Sequence, residues 1–317
     1  MKADYNLATI QGMSDDKTNT NTPEQDYMPI GETVQIVDSA QDEHEVRRRH
    51  ASNRLAWNEG AVRYREELNE TLEELQAGKS NLHPIERDNL RVRGKLADWC
   101  KRAIHLQCAS GRDSLSLWLE GAHQVIGVDI SDVHITNAQR LSDALDAPAT
   151  WYCCDVLDTP HALDGSADLV YTGRGALNWL HDLTGWAHVI ARLLKPGGMF
   201  HVFDGHPAAW LFEPAAHMLV AAPNISYFQH SETSRGWTPE YIGDLTEALG
   251  KSDGELTAKF ERLWPLADIF QALTGAGLIV DFLGEYPEDY WPSMPNLADS
   301  ERGRIPLTFA MRAHKPH

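Results

Sequence analysis

The 317-residue chain is poor in positive charge: 28 lysines and arginines face 46 aspartates and glutamates, a formal net charge of −18. That balance argues against binding nucleic acid through its phosphates, which needs a basic face. It also argues against adhesion to anionic membranes. Small, neutral or cationic partners stay open. Long apolar runs are missing too. No stretch approaches the roughly twenty residues of a membrane span, and the opening MKADYNLATIQG holds no apolar segment of signal-peptide length. Cysteine is scarce, limited to Cys100, Cys108, Cys153 and Cys154. These absences lead us to expect a cytoplasmic protein with free thiols. Cys153 and Cys154 are adjacent in a predicted strand and point to opposite faces, so no metal site is expected.

What is present is a regular alternation of strand and helix. It is organised around HLQCASGRDSLSL, His105 to Leu117. Ile104 and Leu106 have strand spacing, Ala109, Ser110 and Gly111 make a lean turn, and Leu115, Leu117 and Trp118 start a helical apolar face. Such a turn lets backbone N–H groups approach a ligand closely. About twenty residues on, VIGVDIS forms a second strand ending in Asp129. A carboxylate there suits the two hydroxyls of a ribose. A third strand ends in CCDVLD, whose Asp155 suits the exocyclic amine of adenine, with the Val156 N–H facing a ring nitrogen. Two acids at the ends of neighbouring strands form a more specific signal than either alone.

The flanking segments complete the plan. Residues 1–45 hold ten acidic residues and two lysines and read as an acidic, disordered tail, with strand character only at Val34 to Val37. Residues 46–98 read as a helical lid, with Gly60 interrupting its first helix and Gly78 ending it. Residues 99–317 read as the α/β domain, with strands at Ala103–Cys108, Gln124–Val128, Ala149–Cys154, Ala167–Tyr171 and Met199–Phe203. Residues 208–262 are aromatic without sheet-like alternation and read as a substrate cap inserted at the ligand edge. Two closing strands without a helix between them, GLIVDFL and IPLTFAMRA, imply an antiparallel pair.

With these residues in place, the chain resembles the class I S-adenosylmethionine-dependent methyltransferases that act on small molecules. The likeness rests on HLQCASGRDSLSL, GVDIS, CCDVLD, VYTGRGALNWLHDLTGWAHVIARLLKPGGMF, FDGHP and an NRxxWNE-like segment at Asn53, Arg54, Trp57, Asn58 and Glu59. It implies a Rossmann-like seven-stranded mixed sheet of order 3-2-1-4-5-7-6 with the last strand antiparallel. The implied cofactor is S-adenosyl-L-methionine. Gln107, Ala109 and Gly111 would surround its methionine part, Asp129 its ribose, Ile130 its adenine, and Asp155 and Val156 the polar edge of that ring. Trp57 and Ser80 would contribute from the lid, and Tyr171, Thr172 and Gly173 would line the methyl-transfer site. Two departures stand out: Gln107 fills the slot of the usual acid, and Ala109 that of the first glycine.

The implied reaction is in-line attack of a nucleophile on a sulfonium methyl, which asks the protein mainly for alignment and exclusion of water. A hydroxyl acceptor benefits from a base, and His206 and then His181 are best placed, with Tyr171 as a further catalytic candidate. The expected acceptor is a small apolar or heteroaromatic molecule, methylated on nitrogen or oxygen, and the protein a monomer or homodimer. Two alternatives remain at this level. One is a nicotinamide-dependent oxidoreductase, disfavoured because the first turn lacks G-x-G-x-x-G. The other is a non-catalytic cofactor-binding partner protein.

Overall fold

The computed structural model describes residues 34–228, 230–237 and 241–317. Most of the expected acidic tail, residues 1–33, lies outside the described residues. In chain order, strand β1 (Gln35–Ile36) leads into helices α1 (Glu43–Glu66), α2 (Leu68–Gln76), α3 (Pro84–Leu90) and α4 (Leu96–Trp99). The alternation then runs β2 (Arg102–Leu106), α5 (Arg112–Leu119), β3 (Gln124–Asp129), α6 (Asp132–Leu145) and β4 (Ala149–Cys153). It continues with β5 (Ala167–Gly173), α7 (Leu183–Leu193) and β6 (Leu194–Gly205). Strands β7 (Ser231–Arg235) and β8 (Ala258–Arg262) bracket the short α8 (Thr246–Leu249). Helix α9 (Leu266–Gly275) and strands β9 (Ile279–Tyr286) and β10 (Thr308–His314) close the chain.

Seven strands form the main sheet in the order β4-β3-β2-β5-β6-β10-β9. Strands β2 to β6 pair in parallel, and β10 runs antiparallel to both β6 and β9. Counted within this sheet alone, the order is 3-2-1-4-5-7-6, as the resemblance implied. The central strands are apolar on both faces because both are covered. Ile104, Ile126, Val170, Phe200 and Val202 pack on one side with Trp186 of α7. Ala103, Val125, Leu169, Tyr171 and Met199 pack on the other with Leu90 and Leu96.

Local chemistry sets the helix starts. Ser131 caps α6 by accepting from the His134 N–H at 3.1 Å, and Asp182 caps α7 by accepting from Gly185 N at 2.8 Å. No helix among the described residues is long and apolar enough to cross a membrane.

Three expectations need correction. Gly60 does not interrupt α1. It is a buried helical position where a Cβ would lie 2.9 Å from Ile242 Cδ1 and 3.1 Å from Trp237, so the glycine lets the cap approach the helix. The cap is not free of sheet either. Strand β7 pairs antiparallel with β8 and with β1, making a separate three-stranded sheet. Residues 34–45 thus belong partly to the cap sheet and partly to α1, which begins at Glu43 rather than at the expected lid boundary of residue 46.

Candidate active site

Helix α1 lies across the C-terminal ends of β3 and β4, and the NRxxWNE-like segment shows why. Asn53 pairs with the edge of β8 as a strand would: its Oδ1 accepts from Phe260 N at 2.7 Å and its Nδ2 donates to Phe260 O at 2.8 Å. Glu59 accepts from Thr257 N at 2.9 Å and from Lys251 Nζ at 2.6 Å, also in the cap. Arg54 and Asn58 point the other way and donate to Asp132 at 3.1 and 2.8 Å. Ser131 Oγ donates to Asn58 Oδ1 at 2.7 Å. The segment therefore holds cap and sheet edge together, and Trp57 lies between the two.

The turn after β2 is unusual. Gln107 and Ala109 both adopt left-handed backbone angles, with φ of 60° and 45°. A side chain there costs about 1–2 kcal/mol per residue. Gln107 thus carries its side chain on a backbone conformation that favours glycine. Its Nε2 donates to Ala176 O at 2.7 Å, while its Oε1 is buried without a hydrogen-bond partner. Gly111 has φ of 81°, and a Cβ there would lie 2.6 Å from Trp151, so it is needed for helix-to-sheet packing. Replacing Ala109 by Gly is expected to stabilise the fold by about 0.5–1 kcal/mol, strain relief exceeding the entropy of the freer unfolded chain. A lowered urea midpoint for that variant would show the turn to be unstrained.

Asp129 ends β3 as expected. Its Oδ2 accepts from Ala109 N at 2.8 Å and its Oδ1 from Ser131 N at 2.9 Å, leaving lone-pair capacity on each oxygen. Burial pushes its pKa up to about 6 despite these donors. Ile130 follows it, half-buried. His134, one turn into α6, is 1% exposed; its Nδ1 meets Ser110 Oγ at 2.8 Å and its Nε2 has no partner. Burial pushes this imidazole down to about 3, so it is neutral.

Asp155 is engaged mainly by α1, and its Oδ1 keeps lone-pair capacity for a further donor. Its Oδ2 takes bonds from His50 Nδ1 at 2.8 Å and Arg47 Nη1 at 3.1 Å, and its Oδ1 accepts from Leu157 N at 3.0 Å. Burial opposes the charge, but His50 and Arg47 hold the pKa below the ordinary value. Arg47 also grips Asp158 through two bonds of 2.9 Å. The His50 Nε2 accepts from His181 N at 3.1 Å, which fixes the tautomer with its proton on Nδ1. The side chain of Val156 is a core residue, and Ser80 Oγ accepts from Leu82 N at 3.3 Å within its own turn.

The three catalytic candidates are placed otherwise than expected. Tyr171 is fully buried, edge-on to His105 at 4.7 Å and stacked with His201 at 5.9 Å, and its hydroxyl donates to Glu86. Side chains alternate along β5, and this one enters the core. His206 Nδ1 accepts from Ala208 N at 3.1 Å and Nε2 bonds Glu285 at 2.8 Å, so both nitrogens are committed. His181 Nε2 donates to Phe260 O at 3.2 Å, and burial pushes its pKa down to about 3. None of the three is a poised base. Thr172 is also buried, its hydroxyl bonded to Leu106 O at 3.0 Å.

The loop after β5 carries a residue that sequence reasoning passed over. Gly173, Arg174 and Gly175 have φ of 156°, 58° and 84°. A Cβ on Gly173 would lie 2.1 Å from Phe203 O, so only glycine fits. Left-handed Gly175 followed by right-handed Ala176 (φ −88°) turns successive N–H groups to one side and makes an anion nest. Asp204, at the end of β6, fills it: the carboxylate accepts from Gly175 N at 2.5 Å, Ala176 N at 3.1 Å and Leu177 N at 3.1 Å. Asp204 stands in the FDGHP segment, where the neighbouring histidine drew attention instead. The nest presents Asn178 and Trp179 at the sheet edge, where Trp57, Trp179 and Trp237 meet with ring centroids 4.6–5.8 Å apart. Tyr241 joins them at 6.2 Å from Trp57 and shares a 3.1 Å hydroxyl contact with Tyr64.

A methyltransferase-domain family model matches residues 103–198, the span from β2 to the start of β6. Residues 103–198 are thus similar to a methyltransferase domain, and the fold agrees with that likeness. No curated protein matches the chain. A Listeria monocytogenes protein assigned as an S-adenosylmethionine-dependent methyltransferase shares the fold with a TM-score of 0.51 at 16% identity, covering 74% of this chain and 100% of that one. A Mesorhizobium loti S-adenosylmethionine-dependent methyltransferase gives 0.48 at 19% identity, covering 72% of this chain and 98% of its own. The geranyl diphosphate C-methyltransferase of Streptomyces coelicolor A3(2) gives 0.45 at 14%, covering 68% of this chain and 70% of its own. The cofactor of the methyltransferase class is S-adenosylmethionine, and the domain offers it two unsatisfied buried atoms, Gln107 Oε1 and His134 Nε2. A neutral amide oxygen at the end of β2 suits an ammonium group, so the residues present fit the cofactor's amino-acid end.

Proposed function

We propose that the protein transfers the methyl group of S-adenosylmethionine to a nitrogen or oxygen of a small acceptor. The observation that carries this reading is the pairing of Gln107 Oε1 with the Asp129 carboxylate at the ends of adjacent parallel strands. These groups are an acceptor for an ammonium and an acceptor for ribose hydroxyls. When bound, the cofactor supplies a methyl already activated on a sulfonium. The chain's own work is then to hold, align and dry the site. Asp129 takes the ribose, Gln107 the ammonium, and Ile130 one face of the base. Trp57, Trp179 and Trp237 exclude water and present π faces where positive charge is held. His206 has both nitrogens committed, and burial makes the His181 imidazole, whose Nδ1 has no partner, a weak base. This favours an acceptor nitrogen that attacks through its own lone pair.

S-adenosylhomocysteine is expected to raise the melting temperature, and NADPH to leave it unchanged. The reverse pattern would make the protein a nicotinamide enzyme. Transfer of tritium from labelled cofactor to an amine library then tests catalysis itself.

A further inference from the structure

Gln107 owes the direction of its amide to the loop after β5. A carbonyl oxygen only accepts, so the 2.7 Å bond to Ala176 O takes the NH2 side of the amide and turns Oε1 away from that loop. This Oε1 is the buried, unpartnered atom that the methyl-transfer reading assigns to the cofactor's ammonium. Its direction is therefore only as firm as the position of Ala176. Strands β2 and β5 are parallel neighbours, paired as far as His105 and Tyr171. Neither Gln107 nor Ala176 belongs to a strand, however, so the sheet brings the two loops close without fixing them.

The end of β6 does the fixing. Gly173, Arg174 and Gly175 all have positive φ, a strained run that needs support from outside the loop. Four successive N–H groups find it on β6. Arg174 N donates to Phe203 O at 2.8 Å, and the N–H groups of Gly175, Ala176 and Leu177 donate to the Asp204 carboxylate. Asp204 Oδ1 also accepts from Gly205 N at 2.7 Å, and Tyr290 Oη lies 3.5 Å from it. The acid is buried. Burial raises its pKa, and the four backbone donors pull against that rise. Bonds from N–H groups to a carboxylate are stronger than those to a neutral oxygen. An asparagine here would turn its own NH2 toward donors.

We propose that Asp204 is a positioning residue for the amino-acid end of the cofactor. It acts through Ala176 O, holding the Gln107 amide with its oxygen toward the ammonium. The proposal rests on the methyl-transfer reading, which supplies the ligand, and gives Asp204 a task that needs no contact with it. The nucleoside half is held separately, by Asp129 at the end of β3. Asp204 therefore bears on one half of the ligand only, and a general loss of structure would bear on both.

The test uses the full chain and two nucleosides that share adenine, ribose and a thioether sulfur. S-adenosylhomocysteine carries the amino-acid end, and 5′-methylthioadenosine lacks it. Calorimetric titration reads both affinities. Gln107→Ala and Asp204→Asn are each expected to weaken S-adenosylhomocysteine by about fivefold or more, as for one lost hydrogen bond, and to leave methylthioadenosine within about twofold. The double variant should bind S-adenosylhomocysteine no more weakly than Gln107→Ala alone, because Asp204 acts through that side chain. Gly175→Ala strains the same loop with Asp204 intact, since its φ is 84°, and is read by the same criteria should Asp204→Asn fail to fold. Equal loss of both nucleosides, additive losses in the double variant, or an unchanged S-adenosylhomocysteine affinity in the loop variants overturns the proposal and leaves the methyl-transfer reading standing. A wild type that binds neither nucleoside overturns that reading, and the proposal with it.

Discussion

Glu86→Ala is expected to lower the stability of the protein by about 3–5 kcal/mol, the range for removing one partner of a buried ion pair. Glu86 sits in α3 with no exposed surface. Its carboxylate accepts from His83 N at 2.6 Å, Arg174 Nη2 at 2.6 Å and Arg174 Nε at 3.1 Å, and from the Tyr171 hydroxyl. Burial raises its pKa, and the Arg174 charge pulls back against that rise. Removing it strands the guanidinium, which is left with Asn81 O at 2.5 Å and Asp113 at 3.8 Å. The buried phenol of Tyr171 loses its partner at the same time. The damage spreads to function because Arg174 is the middle residue of the left-handed loop that Asp204 holds. The urea midpoint measures the loss, and Glu86→Gln, which keeps shape and one acceptor, should lose less. A change below about 1 kcal/mol would mean the network is dispensable.

The second large effect concerns Asp129. Asp129→Ala is expected to weaken S-adenosylhomocysteine by tenfold or more, equivalent to one or two hydrogen bonds to a charged acceptor. The wild type should also show a pH signature. Burial raises the Asp129 pKa to about 6, so the carboxylate is ionised at pH 7.5 and mostly protonated at pH 5. A protonated acid has fewer acceptor sites for ribose hydroxyls, so affinity falls as pH drops through about 6. Calorimetric titration between pH 7.5 and 5 should show a several-fold rise in Kd, and Asp129→Ala should flatten it. A flat wild-type profile would sink the ribose assignment.

The parallel strands were legible because both faces are buried, which makes them short apolar runs between turn residues. The sheet order was implied by the resemblance to the methyltransferases, with the closing antiparallel pair readable from two strands without a helix between them. The cap strands were illegible for the opposite reason. SETSR and AKFER put Glu232, Ser234, Lys259 and Glu261 on their inner face, so no apolar alternation marks them. Backbone angle was equally hidden: neither Gln107 nor Ala109 advertises a left-handed conformation. His206 and His181 illustrate a third limit. Their location beside the ligand edge was visible in sequence, but the bonds that consume their nitrogens come from Ala208, Glu285 and Phe260, whose placement only the fold reveals.

Helix α1 is tied to the nucleoside edge by side chains that reach half-exposed acids: Arg47 to Asp158 and Arg54 to Asp132. Such pairs are weakened by dissolved ions. Most oppositely charged encounters slow down as salt rises, because steering is screened. On the proposed function, with α1 covering the cofactor, the rate of entry would depend instead on how often the helix lets go of these acids. Entry should therefore quicken with moderate salt, and the bound molecule should leave faster as well. Salt would then change the tempo of turnover more than the strength of binding.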